Sequence, residues 1–165
     1  MIWLMLIVSD TSPISNLAII GRLDFLKRLH EVALIPSAVW TELSRLRQTE
    51  GRNAIQMARD EGWLKVEQVT KILPPIENLD PGETEAIALA IAQGTTLLID
   101  ESKGRQAARD RGVQVVGAVG ILIAARKKGW IAALKPELIA LREEARFFLS
   151  AQFYAAALAS IGEQP

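Results

Sequence analysis

Segments of strand length alternate with segments of helical periodicity along most of this 165-residue chain. The first, residues 2–8, is an uninterrupted apolar run, which is typical of a strand covered on both faces. Further strands are predicted at residues 32–35, 64–69, 95–99 and 113–116. At least one helix separates each strand from the next, and such crossovers connect parallel strands. The pattern therefore predicts an α/β fold, a three-layer α/β/α sandwich around a central parallel sheet.

Helix boundaries are marked by capping residues, prolines and glycines. Ser12 and Pro13 begin a helical pattern that Gly21 interrupts, and the sequence DPGE (80–83) is typical of a helix start. The other helices are predicted from about residue 36, over 50–61, 102–111, 120–128 and 136–147, and in the tail. These elements predict a single domain over residues 1–165, in which residues 130–165 form a helical C-terminal extension.

Composition excludes several classes of site. The chain contains no cysteine and one histidine, His30, so disulfide bonds, a thiolate zinc site, a cysteine nucleophile and a two-histidine metal site are excluded. Lysine plus arginine and aspartate plus glutamate balance at 19 each, so the total charge indicates no particular partner.

Three uncharged stretches, 86–99, 112–125 and 147–162, are each shorter than the roughly 18 residues that suggest a membrane span. No signal peptide is recognisable, and we expect a cytoplasmic protein without a membrane partner. The last stretch is rich in alanine and aromatic residues and is a candidate interface.

Acidic residues stand where a parallel sheet places its functional loops. Asp10 follows the first strand and Asp100 follows the segment 95–99, so both lie at the carboxyl edge of the sheet, where sites form. Glu42 lies between apolar residues in a helix, and Glu85 precedes an apolar helical run. Clustered carboxylates repel one another, and a divalent cation with a preference for oxygen ligands, Mg²⁺ or Mn²⁺, removes that repulsion.

Each acid also has a purely structural interpretation. Asp10 could cap the helix that begins near Ser12, and Asp100 could cap the helix that begins at Ser102. Glu83 fits the capping-box position, Glu85 could interact with a helix dipole, and Glu42 could lie on a solvated face. Only the combination of these acids in an α/β frame favours a metal site.

Charge is segregated beside the second strand-end aspartate. Residues 72–102 contain six acidic residues and no lysine or arginine. The basic residues Lys103, Arg105 and Arg109 follow, and we expect them to contact a phosphodiester backbone next to the metal. An ordinary solvated helix face is the alternative.

Four stretches in order resemble the PIN-domain superfamily, the fold of VapC-type toxin ribonucleases, and in particular a poorly characterised branch of predicted nucleic-acid-binding proteins. They span roughly residues 7–129 and read VSDTSPISNLAIIGRLDFL, LIPSAVWTEL, LDPGETEAIALA and LLIDESKGRQAARDRGVQVVGAVGILIAARKKG. The resemblance implies that Mg²⁺ or Mn²⁺ is held by Asp10, Glu42, Glu85 and Asp100. It also implies that the polar side chains of Thr11, Ser12 and Asn16 surround the first aspartate. Glu83 and Glu101 are the reserve ligands. One departure is Leu98, because many PIN nucleases carry threonine two residues before the last aspartate.

Two functions follow from this resemblance. The first is a metal-dependent endoribonuclease, the toxin of a toxin–antitoxin pair, with RNA as substrate, a small antitoxin as partner and a homodimeric assembly. The second is a catalytically inactive PIN-like module that binds RNA or protein. Glu83 and Glu85 lie about 200° apart on a helix, so only one can face the site well, and the sequence interpretation assigns Glu85 to the metal and Glu83 to the cap.

Overall fold

The computed structural model describes residues 6–165, so the part of the first predicted strand at residues 2–5 lies outside the described residues. The strands form one parallel sheet in the order β3-β2-β1-β4-β5, which confirms the predicted fold class. Their bounds are β1 Leu6–Ser9, β2 Val32–Ile35, β3 Leu64–Val66, β4 Leu97–Leu98 and β5 Val115–Val116.

Helices cover both faces of this sheet. Their bounds are α1 Thr11–Ile19, α2 Asp24–Leu29, α3 Ser37–Ser44, α4 Thr49–Asp60, α5 Pro81–Gln93, α6 Ser102–Asp110, α7 Ala118–Lys127, α8 Lys135–Glu143 and α9 Ala151–Ala159. Successive residues of β1 face opposite ways: Ile7 packs in a core with α1, α2, α4 and α7, and Val8 packs in a second core with α5 and α6. This is the period-2 alternation of a strand that is buried on both faces.

The three last strands are shorter than predicted, although their backbone pairing extends beyond the assigned residues. The N–H of Val8 donates to the carbonyl of Thr96 at 3.2 Å, and the N–H of Ile99 donates to the carbonyl of Val116 at 2.9 Å. The chain is therefore held against its neighbours up to the residue before Asp100.

Residues 130–165 pack against the rest of the domain rather than standing apart. Leu138 and Leu158 are fully buried in the core that α1 and α7 share. Arg22 forms a two-point ion pair with Glu137 of α8, with nitrogen–oxygen distances of 2.6 and 3.0 Å. Glu163 accepts hydrogen bonds from the first backbone amides of α8, including that of Leu134 at 2.7 Å. Glu163 in the C-terminal tail thus stabilises the start of α8.

Local helix signals have the expected structural effect at α5. Asp80 Oδ1 accepts from the N–H of Glu83 at 2.8 Å, and Glu83 Oε2 accepts from the N–H of Asp80 at 3.0 Å, so the capping box is confirmed. Gly94 ends the helix at φ 61°, in the left-handed region that favours glycine. Within residues 6–165, no helix has the length and apolar character needed to cross a membrane.

Candidate functional site

Asp10 and Asp100 meet at the carboxyl edge of the sheet because β1 and β4 are hydrogen-bonded neighbours. The N–H of Asp10 donates to the carbonyl of Leu98 at 2.9 Å, which places the two strand ends side by side. Asp10 is only 5% exposed. It occupies the N-cap position of α1, yet its side chain makes no capping hydrogen bond, so the capping interpretation of Asp10 does not account for this buried acid.

Asp100 is held by two elements other than its own strand. Its Oδ1 accepts from the N–H of Ala118 at 2.8 Å, and its Oδ2 accepts from the Asn16 amide at the long distance of 3.5 Å. A Cβ at Gly117 would lie 2.7 Å from Asp100 Oδ1, so a glycine at this position permits the contact. The carboxylate therefore meets the start of α7 and does not cap α6, whose N-cap residue is Glu101.

The start of α5 brings further acids to the same place. Glu83 is 6% exposed, and its carboxyl group interacts with that of Glu101. Gly82 allows α3 to approach, since a Cβ there would lie 2.6 Å from Glu42 Oε1 and 3.3 Å from Asp80 Oδ1. We call the resulting group the acidic cluster; its members are Asp10, Glu42, Asp80, Glu83, Asp100 and Glu101.

Burial and mutual repulsion both raise pKa values in the acidic cluster. Burial, the largest cause, and the charges of Asp80, Glu42 and Asp100 together raise the pKa of Asp10 from 3.8 to about 7, against the lowering effect of the Thr11 amide. Burial likewise raises the pKa of Glu83 to about 7, with contributions from Glu101, Asp80 and Asp10. The pKa of Asp100 is also raised by burial. The cluster thus favours binding of a positive charge.

The two candidate acids of α5 are placed differently. Glu83 interacts electrostatically with Asp10, whereas in the part of the chain that the structure describes no hydrogen bond or ion pair involves Glu85, which is half-buried. The contacts therefore bring Glu83 into the acidic cluster, and the role of Glu85 as a ligand stays a prediction. Asp80 is the member that sequence reasoning missed as a site residue. Its cap signature was recognised, but its distance from Asp10 depends on how α5 docks on the sheet.

The polar residues after Asp10 also have distinct positions. Thr11 Oγ1, in the residue next to Asp10, is buried and has no hydrogen-bond partner among the described residues. Asn16, one turn further along α1, reaches Asp100. Ser12 is exposed at the start of α1. The Asn16 side chain and the Thr11 backbone amide thus contact the acids, and Ser12 faces solvent.

The donor set fits a divalent cation in its chemistry. It contains only oxygen ligands, it concentrates negative charge, and it includes the unpartnered Thr11 hydroxyl. As the side chains lie, no three His, Cys, Asp or Glu residues among those described are arranged so that they could hold one ion. Binding would therefore need the carboxylates to rotate toward one another, which a cation favours by cancelling their repulsion.

Basic residues border the acidic cluster on the side of α6. Arg105 is half-buried, and its Nη1 donates to the carbonyl of Ile99 at 2.9 Å, which fixes the guanidinium beside Asp100. Burial lowers the pKa of Arg105, and the neighbouring charge of Arg109 lowers it further. Lys103 and Arg109 are exposed on the same helix. A phosphodiester could therefore lie across acids and cations together.

Comparisons with known proteins agree with this fold. No curated protein matches the sequence. A PilT N-terminus domain protein from the hyperthermophilic archaeon Sulfolobus solfataricus P2 is similar in structure, with a TM-score of 0.56 and 18% sequence identity, over 73% of this chain and 92% of that one. The model of the DUF3368 family, described as a PIN domain, matches residues 6–163. The chain therefore belongs to the DUF3368 family of PIN domains.

Proposed function

We propose that this protein is a metal-dependent endoribonuclease that hydrolyses RNA phosphodiester bonds at the acidic cluster. PIN domains are generally nucleases, so the family supports the reaction class. The observation that carries the proposal is the convergence of Asp10, Asp100, Glu42 and Glu83 from four different elements on one edge of the sheet.

We assign the metal ligands as Asp10, Glu42, Asp100 and Glu83, with Glu83 in the place that the sequence interpretation gave to Glu85. Mg²⁺ or Mn²⁺ at these residues would supply a Lewis acid for water activation and for charge stabilisation of the phosphate. The protein's own contribution is orientation. The Ala118 amide and Asn16 hold Asp100, and the small Gly82 lets Glu42 approach α5.

Binding of the substrate is assigned to the basic residues of α6. Arg105 lies beside Asp100, and the exposed Lys103 and Arg109 extend the positive surface away from it. Because cations that neutralise phosphates release counterions, this surface gives salt-dependent affinity for a nucleic acid backbone.

We further propose a toxin role in the cytoplasm, with a homodimeric assembly and a small antitoxin that blocks the acidic cluster. These proposals follow from the resemblance to VapC-type toxins. Induced expression should arrest growth with the wild-type chain and not with Asp10→Asn. Normal growth with a soluble, RNA-cleaving wild-type chain would remove the toxin assignment and leave the nuclease assignment in place.

The direct test is cleavage of a mixed pool of single-stranded RNA by the purified chain with Mg²⁺, with Mn²⁺ and with EDTA. We expect cleavage with either metal, none with EDTA, and none for Asp10→Asn or Asp100→Asn. Loss of activity should accompany weaker Mn²⁺ binding measured by calorimetry. Cleavage that both variants retain would mean that another site, or a contaminant, performs the reaction.

The second candidate function is a PIN-like module that binds RNA and cuts nothing. Two observations favour it: no three acids are arranged to hold one ion among the described residues, and Leu98 stands where many PIN nucleases carry threonine. RNA binding without metal-dependent cleavage, unaffected by Asp10→Asn, would establish this function instead.

A further inference from the structure

An open cavity of about 570 Å³ adjoins the acidic cluster at the outer edge of the sheet. Asp100 and Arg105 line it together with Phe148 and Phe153. The edge strand β5 and the helix α7 contribute Val116 and Ile123 to the same lining. One cavity therefore brings an acid and a cation together with a pair of aromatic rings.

The two phenylalanines are held in solvent by the local backbone. Phe148 is 86% exposed and Phe153 is 49% exposed, although both are large apolar side chains. Ser150 caps α9 by accepting a hydrogen bond from the N–H of Phe153 at 3.1 Å, which fixes the first turn of that helix. Before it, Arg146 adopts a left-handed conformation with φ 54° that turns the chain out of α8. Exposed aromatic residues in such a fixed position indicate a binding surface.

Arg105 gives the cavity a contact for an anion. Arg105 uses one of its five N–H donors for the Ile99 carbonyl, and its guanidinium lies beside Asp100 and Gly117. A ligand that contacts both Arg105 and the two phenylalanines must carry a negative group and a flat apolar face. An unpaired nucleotide has both features, because single-stranded RNA is bound by cations at its phosphates and by aromatic stacking at its bases.

We propose that this cavity binds the base of an unpaired nucleotide adjacent to the phosphodiester at the acidic cluster. Phe148 and Phe153 contact the base, and Arg105 contacts the phosphate that precedes or follows it. This inference rests on the proposed ribonuclease function and adds the substrate's strandedness and its specificity-determining residues. The presence of Asp100 in the lining of the cavity, together with the positive charge of Arg105, favours RNA over a protein segment as occupant.

The test compares fluorescent 10-nucleotide RNA homopolymers with a 10-unit abasic ribose-phosphate chain, in Ca²⁺, with gels that verify intact RNA. We expect wild-type protein to bind at least one homopolymer about 10-fold or more tightly than the abasic chain. Alanine at Phe148 or at Phe153 should weaken homopolymer binding roughly 5- to 150-fold, the range for loss of one stacking contact. Binding of the abasic chain should change less than about twofold, because the phosphate contacts remain.

Two further variants serve as controls for the alanine substitutions. Met57→Ala removes another exposed apolar side chain, 60% exposed on α4, which packs at the opposite edge of the sheet beside β3, and it should change neither affinity. Phe148→Trp keeps an aromatic face and should retain homopolymer binding. Circular dichroism and size-exclusion chromatography of each variant establish that the fold and the oligomeric state are preserved.

Three results would overturn the inference. Equal binding of homopolymer and abasic chains by the wild type would exclude a base contact anywhere on the protein. Cleavage and RNA binding that survive in both alanine variants would leave the ribonuclease function standing and remove the base site. Dissociation of a dimer in both alanine variants, with unchanged RNA affinity, would make this surface a protein interface. Absence of RNA binding and cleavage in the wild type would instead reject the proposed function itself.

Discussion

Asp100 accepts a hydrogen bond from the backbone N–H of Ala118 at 2.8 Å, so the end of β4 is fastened directly to the start of α7. Gly117 makes room for this contact, because a Cβ there would lie 2.7 Å from Asp100 Oδ1 and 3.1 Å from Arg105 Nη1. The position of the carboxylate is thus set by a residue outside the acidic cluster.

Gly117→Ala should therefore displace Asp100 without removing any acid. We expect cleavage to fall by about 100-fold, as a misplacement of about 1 Å at a site can cost, with a stability loss of at most about 1–3 kcal/mol from overpacking. Gly120→Ala is the matched control, because its Cβ would lie 2.7 Å from Val116 Cγ2 and contact no acid. Calorimetry should show weaker Mn²⁺ binding in Gly117→Ala only. Equal metal affinity in both variants would contradict the role given to Gly117.

Glu83→Gln and Glu85→Gln distinguish the two acids of α5. Glutamine preserves the capping box at position 83, so the substitution removes charge and spares the helix start. We expect Glu83→Gln to lower Mn²⁺ affinity and cleavage at least about 10-fold, and Glu85→Gln to change them by less than about twofold. The reverse pattern would return the ligand role to Glu85, as the sequence interpretation had it.

Acidification should stabilise the metal-free protein. Asp10 has a pKa of about 7 in the folded protein against an ordinary value of 3.8, so between those values the folded state holds a proton that the unfolded chain has released. The free energy of unfolding therefore falls as pH rises through this window and levels off above it. Glu83, raised to about 7 from 4.5, acts in the same direction.

Urea unfolding in EDTA at pH 5, 6, 7 and 8 measures this effect. We expect Asp10→Asn to be more stable than the wild type at pH 8 by at least about 1 kcal/mol, and this advantage should shrink toward pH 5. The difference between variant and wild type isolates Asp10 from the other titrating groups. If the free energies of unfolding of the two proteins changed with pH in parallel, Asp10 would be ionised in the folded protein at all these pH values.

The salt dependence of RNA binding tests the basic side of α6. Lys103→Ala and Arg109→Ala each remove an exposed positive charge near the acidic cluster. We expect each to weaken RNA binding for every sequence and to reduce the slope of log affinity against log salt by about 1. Lys65→Ala, an exposed charge on β3 at the far edge of the sheet, is the control and should leave the slope unchanged. If the slope changes in none of these variants, the RNA backbone contacts residues other than Lys103 and Arg109.

Local sequence signals were sufficient to predict the individual strands and helices. The apolar segments, the DPGE cap and the glycine that ends α5 act over a few residues, so their structures follow from backbone geometry and nearby side chains. The alternation of strands and helices likewise implied a parallel sheet, and with it the strand-end positions of Asp10 and Asp100.

The composition of the site was decided by tertiary packing. Asp10 and Asp100 meet because β1 and β4 are neighbours in the sheet, and Glu83 joins them because the start of α5 packs at the same edge. Asp80 enters the cluster for the same reason. The cavity lined by Phe148 and Phe153 forms only because α9 and the residues before it come close to β5 and α7. Contacts between residues far apart in sequence depend on how whole elements are oriented, and the periodicity within each element carries no information about that orientation.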